Sequence, residues 1–197
     1  MSKVLDYFNS VADRYDIQSI NPAWKLLRNL ELRAVKSVMG TNKQGDVLEL
    51  GCGCGFYSNF IIENGCDHLR CVDLSPAMLD RMTIPNCEKI QADAENYISD
   101  RSHDLILCAG LLEFLRRPEK VFSNAVLSLK NEGVLVILFP LRSLGGLVYK
   151  LFHKCHGINA GLFSRREIVE FSQKAGLKLE AWKTVFPFTV VARFRKG

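Results

Sequence analysis

The feature that most constrains this chain is an apolar strand that runs directly into a glycine-rich turn. Residues 47–50 have the pattern of a strand, and Gly51, Gly53 and Gly55 follow at alternate positions before a helix begins. Glycines in this spacing let the backbone pass beneath a ligand where a Cβ atom would collide. The helix behind them presents free backbone N–H groups and the positive end of its dipole. The pattern therefore predicts a ligand-binding strand–turn–helix unit.

Short apolar runs alternate with helical stretches along the rest of the chain. Strands are predicted at residues 47–50, 69–72, 88–91, 104–108, 133–139, 177–185 and 188–194. This alternation favours an α/β fold with a doubly wound, mostly parallel sheet, in which residues 133–139 form a central strand. Too few residues separate the last two strands for a crossover helix, so we expect these strands to pair antiparallel.

The composition is that of a globular protein. The chain has 197 residues, 48% hydrophobic and 24% charged, which suits a single domain over residues 1–197. No apolar run reaches the roughly 18 residues of a membrane span, and residues 1–10 lack the apolar stretch of a secretory signal. Seven cysteines without a disulfide-like spacing then indicate reduced thiols and a cytoplasmic location.

Two acidic residues follow the next strands at the edge where the glycine turn lies. Asp73 ends the second predicted strand and can accept hydrogen bonds from both hydroxyls of a ribose, and Asp93 follows the third strand. A dinucleotide fingerprint would place its third glycine at position 56, which is Phe56, and the chain has no GxxxxGK[ST] phosphate loop. These differences favour a ligand without a pyrophosphate. A tight turn that holds no ligand is the alternative.

These blocks resemble those of the class I S-adenosylmethionine-dependent methyltransferases, above all the small-molecule group that includes the ubiquinone and menaquinone C-methyltransferases. The matching blocks are residues 47–55 (VLELGCGCG), 71–79 (CVDLSPAML), 91–94 (QADA) and 104–115. Residues 7–16 resemble the helix that closes over the cofactor in many members. The resemblance covers residues 5–139 and fits residues 163–177 more loosely. It implies a seven-stranded, Rossmann-like methyltransferase fold with an antiparallel last strand.

The resemblance also implies which positions contact the cofactor, S-adenosylmethionine. They are Tyr15, Glu49, Gly51, Cys52, Gly53, Gly55, Asp73, Leu74, Asp93, Ala94, Ala109 and Leu111. Within this set, Asp73 would hold the ribose hydroxyls, and Asp93 and Ala94 would contact the adenine edge. Leu111 would lie beside the sulfonium, and Tyr15 would cover the ligand.

The cysteines near these positions are expected to be thiols rather than metal ligands. The dipole of the following helix should favour the thiolate forms of Cys52 and Cys54. Both lie in a turn that must wrap a ligand, which is poor geometry for a tetrahedral metal site. Cys155 lies near His153 and His156, but no CxxC pair accompanies them, so no metal is expected.

No residue stands out as the base for methyl transfer, which needs one only when the acceptor must lose a proton. Glu113, which follows the fourth strand, is one candidate. The alternative for Glu113 is a surface carboxylate that caps the next helix. His153 and His156 are the other candidates.

The segment 141–163 has the least regular pattern. One apolar stripe at helical spacing consists of Leu144, Leu147, Val148, Leu151, Phe152 and Cys155. The segment is either an amphipathic helix packed on the body or an insertion that caps the substrate. Residues 1–40 are expected to form a helical lid. Residues 140–197 carry a net charge of +8 against −3 for the rest, which indicates either an anionic partner or a solvated basic face. An anionic or lipid-like substrate, or peripheral contact of residues 141–156 with a membrane, would suit this segment.

Together these features predict an enzyme, a methyltransferase that transfers a methyl group from S-adenosylmethionine to a small molecule. Such an enzyme mainly aligns its reactants, because the cofactor supplies the electrophile. A nucleic-acid acceptor is not expected, since no (N/D)PP(Y/F) motif follows the fourth strand. The alternatives are a non-catalytic protein that binds the same cofactor and an NAD-dependent oxidoreductase. The acceptor atom, whether O, N, C or S, stays open.

Overall fold

The computed structural model describes residues 2–18, 22–40 and 45–197, without the side chains of residues 2, 13–18 and 23. The helices are α1 (Ser2–Gln18), α2 (Pro22–Met39), α3 (Phe56–Glu63), α4 (Pro76–Arg81), α5 (Glu119–Ser128), α6 (Leu144–Cys155) and α7 (Arg165–Lys174), with a 3₁₀ turn at Leu112–Phe114. The strands are β1 (Asp46–Leu50), β2 (His68–Asp73), β3 (Cys87–Gln91), β4 (His103–Ala109), β5 (Leu129–Pro140), β6 (Leu177–Val185) and β7 (Thr189–Lys196). Each strand predicted from the sequence is present, with bounds that differ by a few residues.

The strands form one seven-stranded sheet in the order β3-β2-β1-β4-β5-β7-β6. Neighbouring strands from β3 to β5 pair parallel, whereas β7 pairs antiparallel with both β5 and β6. The predicted doubly wound sheet with an antiparallel last strand is thereby confirmed. The middle place belongs to β4, so the expectation that residues 133–139 are central is wrong by one position. The chain changes direction across the sheet at β1, whose neighbours are β2 and β4, and ligands bind at such switch points.

Both faces of the sheet are covered by helices, which explains the unbroken apolar run of β4 from Leu105 to Cys108. On β4, Leu105 and Leu107 belong to one buried cluster, while Ile106 and Cys108 belong to the other. The first cluster contains side chains of α2 and α3, and the second contains side chains of α5 and α7. Side chains alternate between the faces of a strand, so a strand covered on both sides directs every side chain into a core, which favours an unbroken apolar run.

Helix α6 is present as predicted, but its orientation is the reverse of the packed-helix alternative. The stripe from Leu144 to Phe152 is exposed, and the side that contacts the body contains Gly145, Gly146 and His153. A Cβ atom on Gly146 would lie 2.1 Å from the Leu141 carbonyl oxygen, so only glycine allows this approach. The narrow, glycine-bearing side therefore packs inward. No helix within the described residues has the length and apolarity needed to cross a membrane.

Candidate active site

The glycine turn connects β1 to α3 with an open side toward solvent. Gly51, Gly53 and Gly55 have φ values of +72°, +54° and +91°, a left-handed conformation that favours glycine. A Cβ atom on Gly55 would lie 2.5 Å from the Ile84 side chain, whereas one on Gly53 would meet nothing within 4 Å. The turn is therefore closed against the core at Gly55 and has room for a ligand at Gly53.

The carboxylate of Asp73, at the end of β2, lies against this turn. Its Oδ2 accepts a hydrogen bond from the Gly53 N–H at 2.8 Å, and its Oδ1 accepts one from the Ser75 N–H at 2.8 Å. Burial raises the pKa of Asp73 above its usual range, although these backbone hydrogen bonds oppose the shift. Each oxygen has a second lone pair for another donor. The side chain therefore fits the ribose-binding role that the resemblance implies.

Two residues of the predicted cofactor block, Glu49 and Cys52, have buried side chains. Glu49 is buried, accepts a hydrogen bond from the Ser58 hydroxyl, and has a pKa well above its usual range because of burial. Cys52 is also buried, and its hydrogen bond with Cys71, together with burial, raises the pKa of its thiol. The expectation of a thiolate is therefore wrong for Cys52, because burial and neighbouring groups outweigh the helix dipole.

The positions expected to contact an adenine lie at the same edge of the sheet. The Ala92 N–H donates to the Asp73 carbonyl oxygen at 3.0 Å, which joins the ends of β2 and β3. Asp93 accepts from the Glu95 N–H at 3.0 Å, Ala94 is buried, and Leu74 is half-buried. The structure therefore brings these residues close to the glycine turn.

The end of β4 completes this edge beside the turn. A Cβ atom on Gly51 would lie 3.0 Å from Cβ of Leu111, so the Leu111 side chain packs directly against the turn. Ala109 and Leu111 are half-buried and flank Gly110, whose φ is +66°. A Cβ atom on Gly110 would lie 4.0 Å from Oε1 of Glu113. The strand end thus connects the expected cofactor side to Glu113.

Helix α1 contacts this edge of the sheet. The side chain of Tyr15, which was predicted to cover the cofactor, lies outside the described residues. Asn9 accepts a hydrogen bond from the Ser75 hydroxyl at 2.6 Å. Phe8 packs edge-to-face on Phe114, with ring centres 5.2 Å apart. The first half of α1 therefore contacts both the β2 side and the β4 side of the edge.

Glu113 is buried, with 4% of its surface exposed, so the alternative of a surface carboxylate is wrong. Its Oε1 accepts a hydrogen bond from the Tyr149 hydroxyl at 3.1 Å, while Oε2 has no partner among the described residues. Burial raises the pKa of Glu113 to about 7, and nearby Glu31 contributes to the rise. A carboxyl group with such a pKa can take up or release a proton near neutral pH.

Two further residues of this acidic site were absent from the sequence prediction. Glu31 on α2 is buried, and burial raises the pKa of its carboxyl to about 7. It lies on the apolar stripe of α2, four residues after Leu27 and four before Val35. This spacing was the available signal, since a lone acidic residue on a buried stripe is a frequent functional position. Tyr149 had no comparable signal, because its contact with Glu113 joins α6 to the 3₁₀ turn after β4, which is distant in sequence.

The two candidate histidines have different surroundings. His153 is buried, its Nδ1 has no partner among the described residues, and burial lowers its pKa to about 4. Its ring centre lies 4.4 Å from that of Tyr149 and 5.4 Å from that of Phe114. His156 is exposed, and its Nδ1 lies 2.9 Å from the Phe152 carbonyl oxygen at the end of α6. The structure therefore brings His153, but not His156, to the site of Glu113.

The buried state of Glu113 predicts a specific dependence of stability on pH. Its pKa is higher in the folded chain than in the unfolded chain, so the stabilisation is present below about pH 4.5 and is lost as pH rises through about 7. For a shift of this size the loss is at most roughly 3 kcal/mol. The Glu113→Gln variant should therefore lose less stability than the wild type between about pH 5 and about pH 8, measured by urea unfolding.

Glu119→Gln is the matched control, because Glu119 is exposed on α5 and should leave the pH dependence unchanged. Glu31 is present in all three proteins, but its charge interacts with Glu113, so replacing Glu113 should also lower the pKa of Glu31 and reduce the pH dependence further. Equal pH dependence in the wild type and in Glu113→Gln would contradict a protonated, buried Glu113.

Comparison with known proteins agrees with this geometry. Residues 48–137 match the model of a family described as a methyltransferase domain. Over 138 residues, the chain is 28% identical to trans-aconitate 2-methyltransferase of Enterobacter sp. strain 638, an alignment that covers 68% of this chain and 51% of the relative. It is 31% identical over 102 residues to malonyl-[acyl-carrier protein] O-methyltransferase 1 of Ilyobacter polytropus, covering 49% of this chain and 38% of the relative. The chain thus spans about half the length, or less, of these curated relatives.

A solved structure supports the same assignment at the level of the fold. The magnesium protoporphyrin IX methyltransferase of Synechocystis PCC 6803, solved with bound S-adenosylhomocysteine, superposes with a TM-score of 0.78. The match covers 98% of both chains at 19% identity. The expected cofactor agrees with this finding. The sequence blocks, the strand order and these matches together support the resemblance to the class I S-adenosylmethionine-dependent methyltransferases.

Proposed function

We propose that this chain binds S-adenosylmethionine at the glycine turn and transfers its methyl group to a small molecule beside Glu113. The observation that carries the proposal is the contact between the Gly53 N–H and the Asp73 carboxylate, made at the open side of the turn. A carboxylate held at that point, with lone pairs to spare, is suited to two ribose hydroxyls.

The remaining cofactor contacts follow from the same edge of the sheet. Leu74 and Asp93 would receive the adenine, and Leu111 would form the floor beside the reacting centre. S-adenosylmethionine, when bound, supplies an electrophilic methyl group on a positively charged sulfur. The chain's own task is then to align the acceptor and to exclude water, because alignment accounts for much of the rate in such displacements.

Glu113 is proposed as the base that takes a proton from an O–H or N–H acceptor. When the acceptor atom bonds to the methyl carbon, the bond from that carbon to sulfur would break, and the acceptor's proton would pass to the Glu113 carboxylate. Tyr149 donates to Oε1 and so orients the group, which leaves Oε2 for the acceptor. His153, neutral because burial lowers its pKa to about 4, would complete the wall of the acceptor site.

The flanking segments are proposed to enclose the reactants. Residues 1–40 would act as a helical lid, supported by the hydrogen bond between Asn9 and Ser75. Residues 141–163 would cap the acceptor, supported by the contact of Tyr149 with Glu113. The proposed cytoplasmic location is supported by the seven cysteines, each a free thiol.

The acceptor is proposed to be anionic or lipid-like. The two curated relatives are named for trans-aconitate and for a malonyl acyl-carrier protein, acceptors that carry carboxylates. The basic charge of residues 140–197 supports an anionic acceptor, and the exposed apolar side of α6 supports a lipid-like one.

Calorimetric titration with S-adenosylhomocysteine tests the cofactor assignment. Binding is expected for the wild type, with NAD much weaker, because the turn lacks the third glycine of a dinucleotide fingerprint. Asp73→Asn should weaken S-adenosylhomocysteine binding by about ten- to a hundredfold, the usual effect of a lost hydrogen bond to a charged group. Asp80→Asn, an exposed change on α4, is the control. Tighter binding of NAD than of S-adenosylhomocysteine would overturn the assignment.

A pair of glycine variants separates the ligand-facing side of the turn from its core-facing side. Gly53→Ala has open space for its Cβ, so the cost to folding is the left-handed backbone alone, about 1–2 kcal/mol. Its Cβ should nevertheless enter the ligand site and reduce S-adenosylhomocysteine affinity at least about tenfold. Gly55→Ala adds a clash with Ile84 and should destabilise the fold more. If Gly53→Ala bound as tightly as the wild type, the ligand would not lie over this turn.

Once an acceptor is identified, rate measurements test the role of Glu113. The value of kcat/KM should rise with pH through about 7, because the base must be ionised to accept a proton. Glu113→Gln should lower kcat by about 10²–10⁴-fold and remove this pH dependence. Tyr149→Phe should produce a smaller loss and shift the apparent pKa upward, since the carboxylate loses a donor. An unchanged kcat in Glu113→Gln would exclude Glu113 as the base.

A further inference from the structure

One side of α6 presents a continuous set of large apolar side chains to solvent. We call this set the outward face. Its members, with their exposed fractions, are Leu144 (84%), Leu147 (54%), Val148 (70%), Leu151 (61%) and Phe152 (43%). Single exposed apolar residues are ordinary on protein surfaces, but a contiguous apolar patch marks an interaction site.

The attachment of α6 to the protein does not use the outward face. Gly145 and Gly146 pack closely on the backbone of Pro187 and Leu141, respectively. Tyr149 and His153 extend from the same inner side toward Glu113 and Phe114. Among the described residues, folding therefore leaves most of the outward face exposed, so its apolar composition needs another explanation.

The charge around the outward face is positive. At 100° per residue, Lys150 and Lys154 lie along one edge of the apolar stripe. Residues 141–163 contain these lysines and Arg142 but no aspartate or glutamate. A helix with an apolar face and basic residues along its edge is typical of segments that lie in the interface of an anionic membrane.

Neighbouring elements extend the apolar surface on both sides. Phe186, 83% exposed, precedes Pro187, whose carbonyl oxygen lies against Gly145 at the start of α6. Near the other end of α6, Trp24 of α2 lies with its ring centre 6.1 Å from that of Phe152. Aromatic side chains with one wet edge are favoured at the level of lipid headgroups.

We propose that the outward face of α6 docks in the surface plane of a bilayer that contains anionic lipid. The apolar side chains enter the boundary between headgroups and acyl chains, and Lys150 and Lys154 contact lipid phosphates. The inner side of the same helix faces Glu113, so docking positions the acceptor site at the membrane surface. This last step, the delivery of a lipid-like acceptor, rests on the proposed function, whereas the docking does not.

Sedimentation with lipid vesicles tests the docking directly. The full chain is mixed with vesicles of phosphatidylcholine alone, or with about one third phosphatidylglycerol, at low and at physiological salt. Binding should be stronger to the anionic vesicles and should weaken as salt screens the lysines. Absence of binding to the anionic vesicles at low salt would overturn the proposal.

Two matched pairs of variants locate the contact. Leu147→Glu with Leu151→Glu should weaken vesicle binding at least about tenfold, since two leucines no longer enter the apolar layer. Leu127→Glu, at a leucine 63% exposed on α5, should leave binding unchanged. Lys150→Glu with Lys154→Glu should abolish the preference for anionic vesicles. Lys174→Glu with Lys178→Glu makes the same change of charge on α7 and the start of β6, and should have little effect.

The remaining outcomes also decide the question. Equal loss of binding in the α6 variants and in their controls would show a diffuse charge effect and overturn the assignment to α6. Sedimentation velocity without lipid tests a second copy as the occupant, because a dimer that Leu147→Glu with Leu151→Glu dissociates would contradict membrane docking. S-adenosylhomocysteine titration of the same variants should match the wild type. Vesicle binding without cofactor binding would refute the proposed function and leave the docking intact.

Discussion

Two hydrogen bonds to the Asp73 carboxylate organise the edge of the sheet on which the site depends. One comes from the glycine turn after β1, and the other comes from Ser75 at the start of α4. Ser75 in turn accepts from the Met78 N–H and donates to Asn9 of α1. A single half-buried carboxylate thus connects the turn, α4 and, through Ser75, α1. Burial raises the pKa of Asp73, and the N–H groups of Gly53 and Ser75 oppose this rise because they stabilise the ionised carboxylate.

The acceptor side depends on the burial of acidic groups, which outweighs the Tyr149 hydrogen bond to Glu113 and the nearby positive charge of Arg28 at Glu31. Glu113 and Glu31 both have pKa values raised to about 7 by burial, and the Tyr149 hydroxyl donates a hydrogen bond to Glu113. Folding tolerates such groups because they can be protonated, at some loss of stability as pH rises. A site that sacrifices stability in this way is typical of catalysis rather than of structure.

Local sequence patterns were sufficient for the fold, and they also identified the residues proposed to hold the cofactor. The strand–turn–helix unit and Asp73 are encoded within short stretches, where glycine spacing and apolar periodicity carry the information. Glu113 was identified as a candidate, but its burial was not predictable, because Tyr149 and Glu31 come from distant parts of the chain. The apolar stripe on α6 was recognised from the sequence, but the fact that it faces solvent was not. That orientation depends on Gly145 and Gly146, which pack on the backbones of Pro187 and Leu141 in the folded chain. Periodicity shows that a helix has two faces but not which face a neighbour covers.

The contrast between the attachments of α1 and α6 bears on how ligands enter and leave. Helix α6 is held by close contacts of Gly145 and Gly146 with the backbones of Pro187 and Leu141. If the helix slid along its axis, these contacts would be lost together. Helix α1 is held at the site by side chains, among them the hydrogen bond of Asn9 with Ser75 and the ring contact of Phe8. Side-chain contacts of this kind can break and re-form one at a time, on the timescale of local opening. We therefore expect α6 to keep its position during turnover. Helix α1 would move aside when the demethylated cofactor leaves and a new cofactor molecule binds.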